Sequence, residues 1–283
     1  MAAALALLSS LLFGAGDFLG GGASRRNHVL VVVAVSHVVG LGLILAAAPF
    51  MADEATLEDL VYGLGAGAFG LVGIGCLYHA LGRGPMAVVA PVTAVTNAAL
   101  PVLWGIGFGE RLTALQLAGV VVGMLAIFLV SRAPEDSSGA AAIGPVTPDL
   151  LLECLVAGAG FGGFFVLMDL TSADTAPWPL VSARILSAGV ALLLLARMRH
   201  SPLPSRGEGG VAIVGAGVLD MAGNLCMLLA VHRGMLSLVA VLGSLYPAST
   251  VILARTVLGE RMNRTQGVGL VLALVAVAGI ING

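Results

Sequence analysis

The chain contains no lysine, and its 13 basic residues are all arginine. Charged residues make up only 10% of its 283 positions, whereas 59% are hydrophobic. A soluble globular protein is about half apolar and about a quarter charged, so this composition excludes a chain that covers itself with a polar surface. The solvent that suits such a chain is lipid. The formal net charge of −2 gives no indication of a nucleic-acid partner.

Cysteine is also scarce, and the three positions are Cys76, Cys154 and Cys226. Neither a C-x-x-C pair nor a Cys/His metal-ligand spacing is present, so we predict buried thiols rather than disulfides or a metal site. The stretch GAGAFG at 65–70 satisfies the G-x-G-x-x-G pattern, but no strand precedes it and a nucleotide site is not expected. The sequence predicts no cofactor, and without an ATP-binding motif any transport must use a gradient or run downhill.

Ten apolar stretches are long enough to cross a membrane as helices of about 20 residues. Lipid offers no partner to unpaired backbone groups, so helices are expected, with kinks at Pro91, Pro101 and Pro247. The first stretch lacks the basic residues that open a signal peptide, and we interpret it as a span rather than a cleaved leader. The stretches lie near 3–23, 29–50, 60–81, 85–107, 113–131, 149–170, 177–197, 210–231, 235–257 and 266–282.

The sequence repeats itself at a shift of 150 positions. GERLTALQLAGVVVG begins at Gly109, and GERMNRTQGVGLVLA begins at Gly259. The same shift places residues 65–131 on residues 215–281 without a gap. An internal duplication explains this agreement, and we expect the two Gly-Glu-Arg turns, which include Glu110, to cap helices or form pairs at the loops.

A polar segment rich in Pro, Gly and Ser divides the spans five and five. We therefore predict a first repeat at 1–131, a linker at 132–148 and a second repeat at 149–283. Because five is odd, the second copy enters the membrane from the opposite side. The predicted fold is an all-α integral membrane protein of ten transmembrane helices in two inverted five-helix repeats. Such repeats are typical of secondary transporters, which bind substrate near the midplane; a duplicated structural membrane protein is the alternative.

Arginine is unevenly divided between the two sides that these spans define. One side carries Arg25, Arg26, Arg83, Arg132, Arg197, Arg199, Arg206, Arg261 and Arg264. The other carries Arg111 and Arg233, together with the acidic residues Asp53, Glu54, Glu58 and Asp59. The positive-inside rule places the arginine-rich loops in the cytoplasm and both termini outside. The expected location is the cell (inner) membrane, as a multi-pass monomer or homodimer.

Several segments resemble a known family, the EamA domain. FGERLTALQLAGVVVGMLAIFL (108–129) and LGERMNRTQGVGLVLALVAVAGI (258–280) resemble its end, and LVAVLGSLYPASTVILA (238–254) resembles its penultimate helix. LLFGAGDFLGG (11–21) resembles its opening helix, although Asp17 departs from a pattern that is more often apolar or weakly polar there. The resemblance covers nearly the whole chain as two tandem domains. It implies the drug/metabolite transporter superfamily: ten helices, inverted repeats, and export of amino acids, other metabolites or drugs.

Acidic residues inside the spans are the strongest functional signal, because charge at mid-bilayer costs at least about 2.5–3.5 kcal/mol and normally faces a cavity or a partner. Asp17 lies well inside the first span and is a candidate site for a cationic group or a proton; solvation by headgroups is the alternative. Asp220 and Asn224 share one face of the eighth span, one turn apart. Their repeat mates are Gly70 and Ile74, so only one copy has these polar groups.

Arg184 lies several residues into the seventh span, and a loose alignment places it opposite His37. Arg184 is expected to neutralise Asp17 or Asp220, or to hold a substrate carboxylate with two hydrogen bonds; extension to the membrane interface is the alternative. His37 is a candidate for titration near neutral pH, although a lone histidine more often bonds a backbone carbonyl.

Polar residues beside the predicted kink in the ninth span are further candidates. Pro247 should loosen the helix beside Tyr246 and free a carbonyl, which suits a substrate site. Asn97 lies in the fourth span near Thr96, the repeat mate of Tyr246. Simple interhelical hydrogen bonding is the alternative for the neighbouring Thr and Ser residues.

The sequence therefore predicts a secondary transporter that exports a small solute, such as an amino acid, another metabolite or a drug, with proton coupling through an aspartate as a hypothesis. Its partners are a small-molecule solute, protons and the lipid bilayer. The alternative is a membrane-embedded enzyme acting on lipid or isoprenoid substrates. Such enzymes usually need clustered phosphate-binding or metal-binding residues at a membrane face, and the sequence has no such cluster, so no enzyme is predicted.

Overall fold

The chain is all α-helical in the ranges that the structure describes. The structure is a computed structural model, and it describes residues 1–24, 27–52, 54–83, 86–130, 147–201, 203, 209–258 and 264–283. Within these ranges, 3₁₀ turns occur at Ala48–Phe50 and Ala173–Thr175. The helices are α1 (Ala2–Ser24), α2 (Val29–Ala47), α3 (Leu57–Arg83), α4 (Met86–Gly107), α5 (Ala114–Val130), α6 (Pro148–Asp169), α7 (Trp178–Arg197), α8 (Gly210–Val231), α9 (Leu236–Gly243), α10 (Tyr246–Leu258) and α11 (Arg264–Asn282).

Each predicted span coincides with one helix, except the ninth, which is divided into α9 and α10. Among the described residues, α1, α2, α3, α6, α7, α8 and α11 are long and apolar enough to cross a bilayer, and α4, α5 and the α9–α10 pair supply shorter apolar segments. Large apolar side chains face outward, including Leu103 and Leu274, which are each 72% exposed. Contiguous surface of this kind requires a lipid solvent. The prediction of a multi-pass membrane protein is confirmed.

The ninth span is interrupted at the predicted position. Helix α9 ends at Gly243 and α10 begins at Tyr246, so that Pro247 is the second residue of α10. Proline has no N–H to continue the hydrogen-bond ladder of the preceding turn, but its fixed φ suits the first turn of a new helix. Helix α4, by contrast, is one helix that includes both Pro91 and Pro101.

Helices of the first five spans pack on helices of the second five. The most extensive pairs are α1 with α8, α5 with α11, α3 with α6, α4 with α6, α3 with α7, α2 with α7 and α2 with α8, and α4 also packs on α9. The 150-residue shift turns the α1–α8 pair into the α6–α3 pair and the α3–α7 pair into the α8–α2 pair, and it returns α2–α7, α4–α9 and α5–α11 to themselves. A two-fold relation between the halves requires this pattern. The pairing supports the predicted repeat, while the inverted orientation of the two halves stays a prediction.

Glycine allows two of these crossings to be very close. Gly67 on α3 lies against the backbone of Ala183 on α7, and a Cβ at Gly67 would lie 2.8 Å from the Ala183 Cα. Its repeat mate Gly217 on α8 lies against Ser36 on α2, where a Cβ would be 2.9 Å from the Ser36 Cα. Backbones in contact at this distance leave no room for any side chain.

Some sequence predictions fall outside the described residues. They concern Arg25, Arg26, Asp53, Arg132, Arg206, Glu260, Arg261 and positions 132–146 of the linker. The sidedness of the loops and the repeat boundaries therefore stay predictions. The cysteines are free; Cys154 is buried, as predicted, but full burial is wrong for Cys76 and Cys226, because neighbouring helices cover their faces of α3 and α8 only in part.

Candidate functional site

A cavity lies among helices from both halves, lined by side chains of α1, α2, α3, α4, α6, α7, α8 and α10. The space between its atoms is about 800 Å³, a volume that includes open solvent at the mouth of the cavity. The seven residues predicted for substrate binding all line it: Asp17, His37, Asn97, Arg184, Asp220, Asn224 and Tyr246. The structure thus brings them together, and their binding of a substrate stays a prediction.

Arg184 on α7 and Asp220 on α8 form an ion pair at the wall of the cavity. The Arg184 side chain is 8% exposed, whereas that of Asp220 is 37% exposed. Asn224 supports the pair, because its Nδ2 donates to Asp220 Oδ1 at 3.2 Å and to the Asp220 backbone oxygen at 2.8 Å. Of the alternatives predicted for Arg184, the structure shows that it neutralises Asp220. The alternative that its side chain extends to the membrane interface is wrong.

His37 and Ser187 connect α2 to α7 next to this pair. The His37 Nδ1 atom lies 2.9 Å from Ser187 Oγ, so the ring bonds a hydroxyl rather than a backbone carbonyl. The two residues are 150 positions apart and are therefore repeat mates, whereas the looser alignment had placed Arg184 opposite His37. Contact between two repeat mates is the result expected if a two-fold axis relates the copies and passes between them.

Asp17 presents its side chain to the cavity from the middle of α1. Its carboxylate has no hydrogen bond or ion pair with any described residue. Gly16 faces α8, and a Cβ there would lie at an ordinary van der Waals distance of 3.5 Å from the backbone nitrogen of Asp220. Two carboxylates therefore face one cavity from adjacent helices, and only Asp220 has a cationic partner.

Asn97 and Tyr246 lie where α4 meets the interrupted ninth span. Asn97 Nδ2 donates to Ser244 Oγ at 3.1 Å, and its Oδ1 has no hydrogen-bond partner among the described residues. Tyr246 opens α10 and lines the cavity. The neighbouring Thr93 and Thr96 bond backbone carbonyls, as expected for interhelical and local hydrogen bonds.

Aromatic rings complete the wall of the cavity. The phenylalanine wall consists of Phe13, Phe161, Phe164 and Phe165. The ring centroid of Phe165 lies 6.4 Å from that of Phe13 and 5.8 Å from that of Phe164. Sequence reasoning missed these residues because a phenylalanine in an apolar span looks like any core or lipid-facing residue. One feature of the repeat is related to them: glycine occurs at both Gly73 and its repeat mate Gly223. In the structure Gly73 faces the Phe161 ring and Gly223 faces the Phe13 ring.

Hydrogen bonds link the turns at one end of the bundle, beyond the cavity. The polar clamp, as we define it, comprises Asp59, Glu110, Thr171 and His232. Asp59, near the start of α3, accepts from the Ser172 N–H at 3.0 Å and from Thr175 Oγ1 at 2.7 Å. Asp59 lies eight residues before Gly67, the first α3 residue of the cavity lining, which is about 12 Å along a helix.

His232 joins the end of α8 to the end of α6. Its Nε2 lies 3.1 Å from Thr171 Oγ1 and 3.2 Å from the backbone oxygen of Met168. Burial lowers the pKa of His232, which favours a neutral ring at pH 7. Because a carbonyl only accepts, the proton of that ring is on Nε2.

Glu110 caps a helix of the opposite half. Its carboxylate accepts from the backbone N–H groups of Leu236 and, at 3.1 Å, Ser237 in the first turn of α9. A helix N-terminus presents unpaired N–H groups and positive potential, so a carboxylate stabilises it. The predicted capping role of Glu110 is confirmed, while its repeat mate Glu260 lies outside the described residues.

We expect Glu110→Gln to destabilise the protein by about 1–2 kcal/mol, because the amide loses the charge and one of its two acceptor oxygens. Thermal unfolding of the purified protein in detergent, followed by size-exclusion chromatography, measures this. Glu54→Gln is the matched control, since Glu54 is exposed. Equal midpoints for both variants would contradict the capping role.

Comparison with known proteins identifies the fold. The model of a family described as the EamA-like transporter family matches residues 1–132 and 150–282. A crystal structure described only as that of a protein superposes with a TM-score of 0.77 at 18% sequence identity, covering 98% of this chain and 95% of that chain. A search of curated proteins finds no match. Since the family match extends over most of its length in two segments, the chain belongs to the EamA-like transporter family.

Proposed function

We propose that the chain is a secondary transporter that carries a small organic solute outward by alternating access. In this proposal two inverted five-helix halves rock about the cavity, and Asp17, Arg184, Asp220, Asn224 and Tyr246 contact the solute. Family membership supports a carrier over a membrane enzyme. The exchange symmetry of the α1–α8 and α3–α6 pairs supports the two-half arrangement.

The observation that carries the proposal is a cavity with ionisable walls in the interior of membrane-spanning helices. Asp17, Arg184 and Asp220 each cost free energy in a bilayer that a purely structural membrane protein would avoid. A solid interface between duplicated halves would have no need of these residues. A cavity that contains them is suited to a polar solute crossing the membrane.

The polar clamp supports the alternating-access part of the proposal. It joins the turns at one end of the bundle through a few hydrogen bonds, each worth about 1 kcal/mol. A barrier of that size can open and reclose without unfolding the helices. Access from that end requires the Asp59, Glu110 and His232 contacts to separate.

The test is a substitution that fills the cavity. Ile74 on α3 lines the cavity, whereas Val72 on the same helix is 51% exposed on the outside of the bundle. We expect Ile74→Trp to abolish solute release, because the indole occupies the transport path, and Val72→Trp to leave it within about twofold of wild type. Untargeted metabolite profiling of cells and medium, with matched protein amounts in the membrane, measures the release.

The matched pair separates loss of transport from loss of folding. Solutes that appear in the medium with the wild-type protein and with Val72→Trp must return to the vector level with Ile74→Trp. Equal release by Ile74→Trp, or no solute that depends on the wild-type protein, would refute the proposal.

A further inference from the structure

The charges that line the cavity do not balance. Arg184 neutralises Asp220, and Asn224 donates a further hydrogen bond to the same carboxylate. Asp17 faces the same space with neither a hydrogen bond nor an ion pair to a described residue. When Asp17 is ionised, the lining formed by the described residues carries one uncompensated negative charge.

Among the described lining residues, the cavity offers no free cation to a negative ligand. Among the described residues that line the cavity, Arg184 is the one arginine. Its side chain is only 8% exposed and already binds Asp220. The His37 Nδ1 atom is engaged by Ser187 at 2.9 Å. A ligand carboxylate would therefore have to displace Asp220 from Arg184 and would also face the charge of Asp17.

The rest of the wall suits the body of an organic cation. Four phenylalanine rings line the cavity, two of them from adjacent positions on α6. The face of an aromatic ring attracts ammonium groups by about 0.5–2 kcal/mol, and it also packs against apolar or aromatic carbon. An acceptor with negative charge beside rings is a combination that selects amines.

We propose that the solute is an amine: a molecule with a single cationic nitrogen, no carboxylate, and an apolar or aromatic body. Its nitrogen binds the Asp17 carboxylate, and its body packs on the phenylalanine wall. This inference rests on the proposed transport function and narrows it, since it excludes amino acids, whose carboxylate finds no free cation among the described lining residues.

Binding of four small probes tests the inference. They share a phenyl ring and differ in charge: phenethylamine is a cation near pH 7, 2-phenylethanol is neutral, phenylacetate is an anion, and L-phenylalanine adds a carboxylate to the amine. Isothermal titration calorimetry on the full chain in lipid nanodiscs gives the affinities. We expect phenethylamine to bind at least about tenfold more tightly than each of the other three, as a charge-assisted hydrogen bond predicts.

Variants of Asp17 locate the nitrogen. Asp17→Asn should weaken phenethylamine binding by about tenfold to a hundredfold and leave 2-phenylethanol binding unchanged, which shows that the cavity is intact. Asp17→Glu keeps the charge and should retain binding within about threefold. Asp174→Asn makes the same chemical change at an exposed residue outside the cavity and should have no effect.

Three outcomes overturn the inference: stronger binding of phenylacetate or L-phenylalanine, equal binding of phenethylamine and 2-phenylethanol, or unchanged phenethylamine affinity in Asp17→Asn. The last would leave Asp17 as a proton site or a structural residue. If any of these occurs while Ile74→Trp still abolishes solute release, the amine inference fails and the transport function stands. If phenethylamine binds through Asp17 but no solute release depends on the protein, the transport function fails and the amine site stands.

Discussion

Replacing Asp220 with asparagine should destabilise the protein by about 3 kcal/mol, because it leaves a buried guanidinium without its counter-charge. Arg184 is only 8% exposed, so little solvent reaches it to replace the carboxylate. The converse change, Arg184→Gln, should cost less, about 1–2 kcal/mol, because the Asp220 side chain is 37% exposed and already borders the cavity. This geometry therefore predicts that Asp220→Asn lowers the free energy of unfolding more than Arg184→Gln does.

A double-mutant cycle measures the pair directly. The double variant Arg184→Gln/Asp220→Asn should be more stable than the sum of the single effects predicts, by about 1–3 kcal/mol, since the second change removes the group that the first left unpaired. Reversible unfolding in mixed micelles gives the free energies. Arg111→Gln and Asp174→Asn, both at exposed positions, are the charge-matched controls. Additive single effects would show that the two side chains do not interact.

Substitution of Gly67 or Gly217 with alanine should each destabilise the protein by about 1–3 kcal/mol, the usual cost of overpacking. At both positions the new methyl group would meet backbone atoms, of Ala183 and Ser36 respectively, which cannot rotate away. The helices must separate to admit it. Because Gly67 also lines the cavity, Gly67→Ala should weaken ligand binding as well.

Two other glycines provide controls with the opposite expected sign. At Gly42 on α2 and Gly75 on α3, the methyl group of an alanine would have no atom of a neighbouring element within 4 Å. Alanine is favoured over glycine in a helix by up to about 1 kcal/mol, so Gly42→Ala and Gly75→Ala should be neutral or stabilising. The same unfolding measurement compares all four variants, and destabilisation by the control pair equal to that of the test pair would contradict the close-approach argument.

Much of the fold could be predicted from the sequence, because apolar length and proline position act locally. The spans, the interruption beside Pro247 and the cap at Glu110 are local features, and the structure has all three. The grouping of Asp17, Asp220 and Asn97 around one cavity could also be expected. Exposing a charged or polar side chain to lipid costs free energy, so such residues normally face a cavity or a polar partner.

The partners of these residues could not be predicted, because helical spacing fixes the face of a residue but not the neighbour across it. Arg184 had two acidic candidates, and only the relative placement of α7 and α8 around the cavity selects Asp220. Asp59 was noted only as a loop charge, although it holds the turn before α7 through Ser172 and Thr175. The sequence did not distinguish the phenylalanines of the cavity wall from other residues, because most residues of this chain are apolar.

The pairing of α1 with α8 has a consequence for biosynthesis. Helix α1 leaves the ribosome before α8, its main partner, which begins about 190 residues after α1 ends. At roughly 5–20 residues per second, α1 spends on the order of 10–40 s in the membrane before α8 exists. During that interval Asp17 has no protein cavity to face. Until the second half of the chain is made, this carboxyl group must either be protonated or be solvated by headgroups or insertion machinery. The cavity is among the last parts of the molecule to assemble.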